Sequence, residues 1–150
     1  MPRPVLLLFL CALALAVAGA SSAKTVLPGV RSPSGSVHCF VLSARKQPAL
    51  LLCSVTHARY AKALEKRCAG PKGHGVDWHG FELATAGKGG VSCSGGALIT
   101  GKQIPRYVSL ANGKAWRHGA FTCVSQAKGL YCQSKKGHGL FMSQSSWQAW

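Results

Sequence analysis

The segment Gly129–Gln144, GLYCQSKKGHGLFMSQ, sets a cysteine, two lysines and a glycine-flanked histidine in front of an apolar run. Lys135, Lys136 and the amides around Gly137 and Gly139 are groups that cradle an anion or a glycan. His138 carries an imidazole, which titrates near neutrality and suits acid–base work. The string KGHG also occurs at Lys72–Gly75. In the later copy, alternating apolar residues on both sides predict a hairpin bend. Gly137 and Gly139 then take backbone angles closed to other residues, and His138 ties the loop or stands at its tip. The earlier copy falls in a loop before DWHGFEL, and the repetition reads as coincidence.

Other residues offer chemistry with less support from spacing. Phosphodiester cleavage needs a general acid, a general base and a cation beside the phosphate. His118, His138 and Lys136 are of those types, with His38 in reserve. A glycosidase needs two carboxyl groups facing one bond, but Asp77 and Glu82, five residues apart on a strand, face opposite ways, and Glu65 is remote in sequence. Asp77 and His79 are two apart, so one could orient the other, yet no serine lies in a nucleophile elbow. The plainer reading is an Asp–His hydrogen bond at a loop-to-strand junction. Arg106-Tyr107 and Trp116–His118 interleave bases with aromatics, as single-strand binders do, but no recognisable nucleic-acid motif accompanies them. Trp78, Trp147 and Trp150 fit core or edge packing equally well.

Charge and leader bound the setting. Arg3 followed by the apolar run Val5–Ala18 and by small residues predicts a signal peptide over 1–23, cleaved after Ala20 or Ala23. The run is short for a membrane span, and no second one follows, so no transmembrane segment is expected after cleavage. The whole chain has a formal charge of +15. Losing Arg3 with the leader leaves 17 Lys and Arg against Glu65, Asp77 and Glu82, about +14. Such a field draws the protein toward polyanions of many kinds. Loss of Cys11 leaves six cysteines, an even number that predicts three disulfides in an oxidising compartment. No C-x-x-C pair points to zinc, and no cofactor is implied.

The elements that position these residues are short. Lys24–Val30 reads as a flexible lead, and 31–150 as a single domain. Val37–Leu42 and ALLLCSV form a hairpin with a cysteine on each strand. THARYAKALEKRC is the one plausible helix, with Thr56 as its cap. WHGFELATA, GVSC and IPRYVSL are strands, Asn112-Gly113 is a tight turn, GAFTCVS with GLYCQS is a second cysteine hairpin, and LFMS is a last strand. Two independently stapled hairpins are favoured over an internal duplication, because strict self-similarity is absent. The simplest pairing is sequential, Cys39–Cys53, Cys68–Cys93 and Cys123–Cys132. The fold class expected is mainly β: a small disulfide-stapled antiparallel β sandwich or barrel-like domain with at most one short helix.

SPSGSVHC, LLCSV, a later cysteine before DWHGFEL, and C-x8-C closing on GHGLFMS together resemble a family of small exported actinobacterial proteins with a domain of unknown function. The resemblance spans roughly Val30 to Trp147 and implies export and architecture, not a reaction. Ser36 stands where the family pattern has Asn, His79 intervenes between Trp78 and Gly80, and CSGG lacks an acidic residue of the pattern.

The reading that follows is a secreted, basic, non-catalytic binding module, in the extracellular or cell-envelope space, for an anionic polymer or acidic partner. Lys135, Lys136 and His138 carry the binding, with Arg106 and Arg117 as supporting charge. Nucleic acid is the disfavoured polyanion for an exported chain. The alternative is a small secreted phosphodiesterase or ribonuclease-like hydrolase using His138, His118 and Lys136.

Overall fold

The computed structural model describes residues 23–70 and 76–150, so residues 1–22 of the expected leader and the KGHG copy at 72–75 lie outside the described residues. Among the described residues, eleven strands form two sheets, and one helix, α1 (Ala61–Ala69), packs beside the first. Sheet one contains β1 (Thr25–Arg31), β2 (Val37–Leu42), β3 (Leu50–Val55), β4 (Asp77–Ala84), β5 (Gly90–Ser94) and β6 (Gln103–Ser109), in the order β5-β4-β3-β2-β1-β6. Sheet two contains β7 (Ala115–His118), β8 (Phe121–Gln126), β9 (Gly129–Ser134), β10 (Gly139–Met142) and β11 (Trp147–Ala149), in the order β11-β10-β9-β8-β7.

Alternation in the strands makes the core. Val37, Cys39 and Val41 on β2 face inward with Leu51, Cys53 and Val55 on β3. Phe121 and Cys123 on β8, with Leu130 and Cys132 on β9, come from the other sheet to the same apolar cluster. Leu83, Leu140 and Met142 complete it with essentially no exposure. The cysteines pair as Cys39–Cys53, Cys68–Cys93 and Cys123–Cys132. Cys39 lies directly opposite Cys53 in the β2–β3 ladder, and Cys123 opposite Cys132 in the β8–β9 ladder. These two bridges are buried, and the sulfurs of Cys39, Cys53 and Cys132 lie within 4.8 Å of one another. Each sheet thus contributes a disulfide to the centre of the sandwich.

Four sequence expectations change. The lead at 24–30 is instead strand β1, in the interior of its sheet between β2 and β6. Pro28 and Gly29 read locally as breakers, but β1 buries Leu27 and Val30, and Gly29 makes room for the Tyr107 ring lying against it. Its β6 partner is parallel, a departure from an all-antiparallel arrangement. The helix starts after Tyr60 without a side-chain cap, and Thr56 instead donates its backbone NH to the Ser36 carbonyl. LFMS is followed by a further strand, β11, whose Trp147 packs on Phe81 at 5.0 Å between centroids.

The two cysteine hairpins also prove to be the centres of a larger repeat. β1–β5 and β7–β11 are both five-stranded antiparallel meanders with the bridged pair on their second and third strands. Gly35 (φ 71°) and Gly119 (φ 57°) each stand four residues before the first cysteine of their pair. Phe81 lies opposite Cys53 as Leu140 lies opposite Cys132. This makes Gly80 the counterpart of Gly139, and a histidine precedes each. Weak self-similarity in sequence hid the correspondence, because burial alternation and one close backbone approach tolerate many residue types.

Candidate functional site

Antiparallel meanders put alternate turns at the same end of a sheet, so the charges collect at ends and not along faces. The β2–β3 turn carries Arg45 and Lys46, and the β4–β5 turn carries Lys88. In sheet two, His118 ends β7 just before the β7–β8 turn, and the β9–β10 turn carries Lys135, Lys136 and His138. Gly89 of the β4–β5 turn packs against Gly139 and Leu140, which places the two sheets' turns at one common end. None of the three acidic residues is in these four turns. All five Lys and Arg side chains there are exposed.

The predicted residues distribute unevenly over this end. Lys135 donates its backbone NH to the Ala120 carbonyl, joining the two sheet-two turns two residues after His118. The hairpin is closed by Ser134 NH on the His138 carbonyl and by Gln133 Nε2 on the Gly137 carbonyl, at 2.8 and 3.2 Å. His138 therefore ties the loop through its backbone while its imidazole is half-buried. Gly137 has the expected positive φ of 85°, but Gly139 does not. Gly139 is required for space, since a Cβ there would meet the Trp150 indole and sit 2.8 Å from the Cys132 carbonyl. Arg117 is exposed on β7 one residue before His118, whose ring stacks on Trp116 at 5.8 Å and 18°. Arg106 does not join the group. It sits mid-strand in β6 between exposed Ile104 and Val108.

The other proposed constellations do not assemble as expected. His38 is at the start of β2, opposite Arg31 and 5.3 Å from the Tyr107 ring, near the other end of its strand from the basic turns. Burial, and then the Arg31 charge, hold its imidazole below the usual pKa. His79 does not bond Asp77: its Nε2 meets the Ser94 carbonyl at 3.0 Å. The reason is a β-bulge between Trp78 and Gly80, in which His79 is the extra residue. A bulge breaks the alternation on which the Asp77–His79 same-face expectation rested. Glu82 is half-buried and accepts a hydrogen bond from Ser92 Oγ at 3.1 Å, while Asp77 and Glu65 are exposed.

A second feature, absent from the sequence reading, occupies the opposite end. Five connections converge on an open cleft of about 440 Å³: β1–β2, β3–α1, β6–β7, β8–β9 and β10–β11. Ser32, Ser34 and Ser36 line one part with a chain of hydroxyl contacts of 3.2 and 2.8 Å. His57, Arg59 and Lys128 bring imidazole and cationic groups. His57 holds a left-handed backbone (φ 54°), a conformation that costs a non-glycine residue about 1 kcal/mol or more. Among the described residues no acidic side chain lines the cleft.

The chain matches a family model described as a family of unknown function (DUF6636) over residues 5–149. It belongs to that family. No curated protein and no solved structure matches it. The segment SPSGS that helped carry the resemblance forms the serine part of the cleft, and GHGLFM forms the basic hairpin and β10. The one available sequence signal for the cleft was the serine-rich β1–β2 turn. His57, Arg59 and Lys128 belong to three-residue neighbourhoods with no motif, and only the meeting of the turns brings them together. Cross-strand and surface disulfides fit an oxidising compartment, and no described helix is long and apolar enough to cross a membrane.

Proposed function

We propose that the protein is an exported, non-catalytic binding module that holds an acidic polymer outside the cell through its basic turn end. The observation that carries this reading is the gathering of Arg45, Lys46, Lys88, Lys135 and Lys136 on three turns at one end that contain no acidic residue. Like charges on short, backbone-tied turns repel one another in the free protein, and a flexible polyanion relieves that repulsion while releasing its own counterions.

The backbone bond that joins the β7–β8 and β9–β10 turns, next to His118, Lys136 and His138, supports the hydrolase as a second reading. One experiment separates the two. The oxidised protein is titrated with single-stranded RNA as a flexible polyphosphate probe, with a polyuronate and with a neutral glycan, over a salt series, and products are scored in the same samples. Five engaged cations predict a log–log salt slope near −3.5 on the RNA, so affinity drops roughly 100-fold between 50 and 200 mM salt. Lys135→Gln/Lys136→Gln should lower that slope to about −2, while His138→Ala should bind nearly as the parent does. Equal retention of the neutral glycan would remove the charge-based reading. Product formation that disappears in His138→Ala would replace it with catalysis.

A further inference from the structure

We infer that the cleft at the other end of the sandwich is a separate binding site for a single sugar unit bearing a carboxylate or phosphate. Its chemistry differs from that of the basic turns. The turn end presents exposed cations, whereas the cleft is concave and its volume of about 440 Å³ falls within the usual range for small-molecule sites, about 300–1,000 Å³. Such sites are ordinarily lined by apolar and aromatic groups. This one has no aromatic carbocycle among its described lining residues, and hydroxyls and side-chain amides dominate. A ligand that fits must therefore be hydrophilic over most of its surface, with many hydroxyls to exchange for those it meets.

The charge of the ligand follows from the same walls. Arg59 and Lys128 enter from the connections of different sheets, Arg59 before α1 and Lys128 between β8 and β9, so an anionic group between them would be held by both. The guanidinium matches the planar geometry of a carboxylate or phosphate. Ser34 and Ser36 hydroxyls, each both donor and acceptor, suit ring hydroxyls, as does the Asn112 amide.

The floor is fixed before any ligand arrives. Arg59 donates its NH to the Gln144 carbonyl at 2.8 Å, and Gln144 Nε2 returns a bond to the Thr56 carbonyl at 3.0 Å. Tyr60 Oη donates to the Ser143 carbonyl at 2.8 Å, and Thr56 NH to the Ser36 carbonyl at 2.9 Å. The Arg59, Gln144 and Tyr60 bonds cross between the two meanders, the Thr56 bond closes within the first, and left-handed His57 lies between Thr56 and Arg59. Fixed walls reduce the ordering cost of binding. Strain held in place by its surroundings is also commonest where a side chain must be aimed.

The test is an amide-resolved NMR titration of the oxidised protein with glucuronate, glucose 6-phosphate, glucose and inorganic phosphate. The expected result is a saturable shift of resonances in 34–36, 57–59 and 126–129 with at least one anionic sugar, and which one responds tells carboxylate from phosphate. Arg59→Gln/Lys128→Gln, both at exposed positions, should weaken that binding about tenfold or more, with Lys135→Gln/Lys136→Gln unchanged. An equal response to glucose would overturn the anionic part, and inorganic phosphate binding as well as glucose 6-phosphate would overturn the sugar part. No saturable shift, or shifts confined to 135–138, would overturn the site. The polymer reading rests on different residues and is unaffected by these outcomes.

Discussion

Gly80 offers the sharpest test of the packing that holds both ends in place. It follows the bulged His79, has φ 115°, and lies where an added Cβ would drive into the Cys53 carbonyl and come within 3.1 Å of Ser54 Cα. Cys53 cannot retreat easily, because its disulfide is buried at the centre of the sandwich. Gly113 is the internal reference: its φ is 77°, but a Cβ there meets open space. Gly113→Ala should therefore cost only the backbone term, about 1 kcal/mol. Gly80→Ala adds a backbone collision to a φ outside the left-handed helical region, and should cost about 3–5 kcal/mol. Gly139→Ala should fall between them, since its φ is ordinary and the exposed Trp150 indole can swing aside. Urea unfolding of the oxidised variants, followed by tryptophan fluorescence, reads these values directly. With a slope of about 2 kcal/mol per molar urea, Gly80→Ala shifts the midpoint by roughly 2 M and Gly113→Ala by about 0.5 M. Equal shifts for the two would refute the account of Gly80 as a position chosen for close approach.

Two further expectations concern the staple and the helix. Removing the surface bridge with Cys68→Ser/Cys93→Ser, across a sequence separation of 25, should cost about 3.5 kcal/mol by loop entropy. Both sheets should keep their near-ultraviolet signature, and loss of that signature would mean that the helix anchor organises the core. Burial pushes Tyr60 up to about 12. Its neutral form is favoured in the fold, so stability should begin to fall as pH rises past the ordinary tyrosine value near 10 and go on falling to about 12. Tyr60→Phe should flatten that alkaline loss and cost about 1 kcal/mol at neutral pH through the Ser143 carbonyl. An alkaline profile identical in the parent and Tyr60→Phe would assign the loss to another group.

The tyrosine also ties the helix to the cleft floor, which links stability to the second site. Tyr60 packs on Trp78 and Phe81 at 6.0 and 6.1 Å between centroids while its hydroxyl reaches across to the β10–β11 turn. Tyr60 and Leu64 are four residues apart, the spacing of one helix face. Leu64 is the buried residue of α1, but Tyr60 precedes the helix and serves the junction between meanders.

What the sequence determined by itself was local and periodic. Alternation around Cys39, Cys53, Cys123 and Cys132 specified paired strands, because a side-chain period of two leaves one face of each strand to be buried. An even cysteine count once the expected leader is set aside, with sequential pairing along the chain, led to the three bridges that form. GHG between LYCQ and LFMS specified a bend, as the backbone at Gly137 requires. Tertiary structure decided the rest. β1 extends back to Thr25 because β6, distant in sequence, pairs along its whole length while β2 pairs with Gly29–Arg31, and Gly139 is needed because Trp150 and Cys132 close on it. Arg45, Lys46 and Lys88 join Lys135 and Lys136 only because meander topology puts alternate turns at one end. Arg59, Lys128 and the serines meet at the other end for the same reason. A charge or hydroxyl in a turn has no local pattern to announce its neighbours, since those neighbours are supplied by the packing of two sheets.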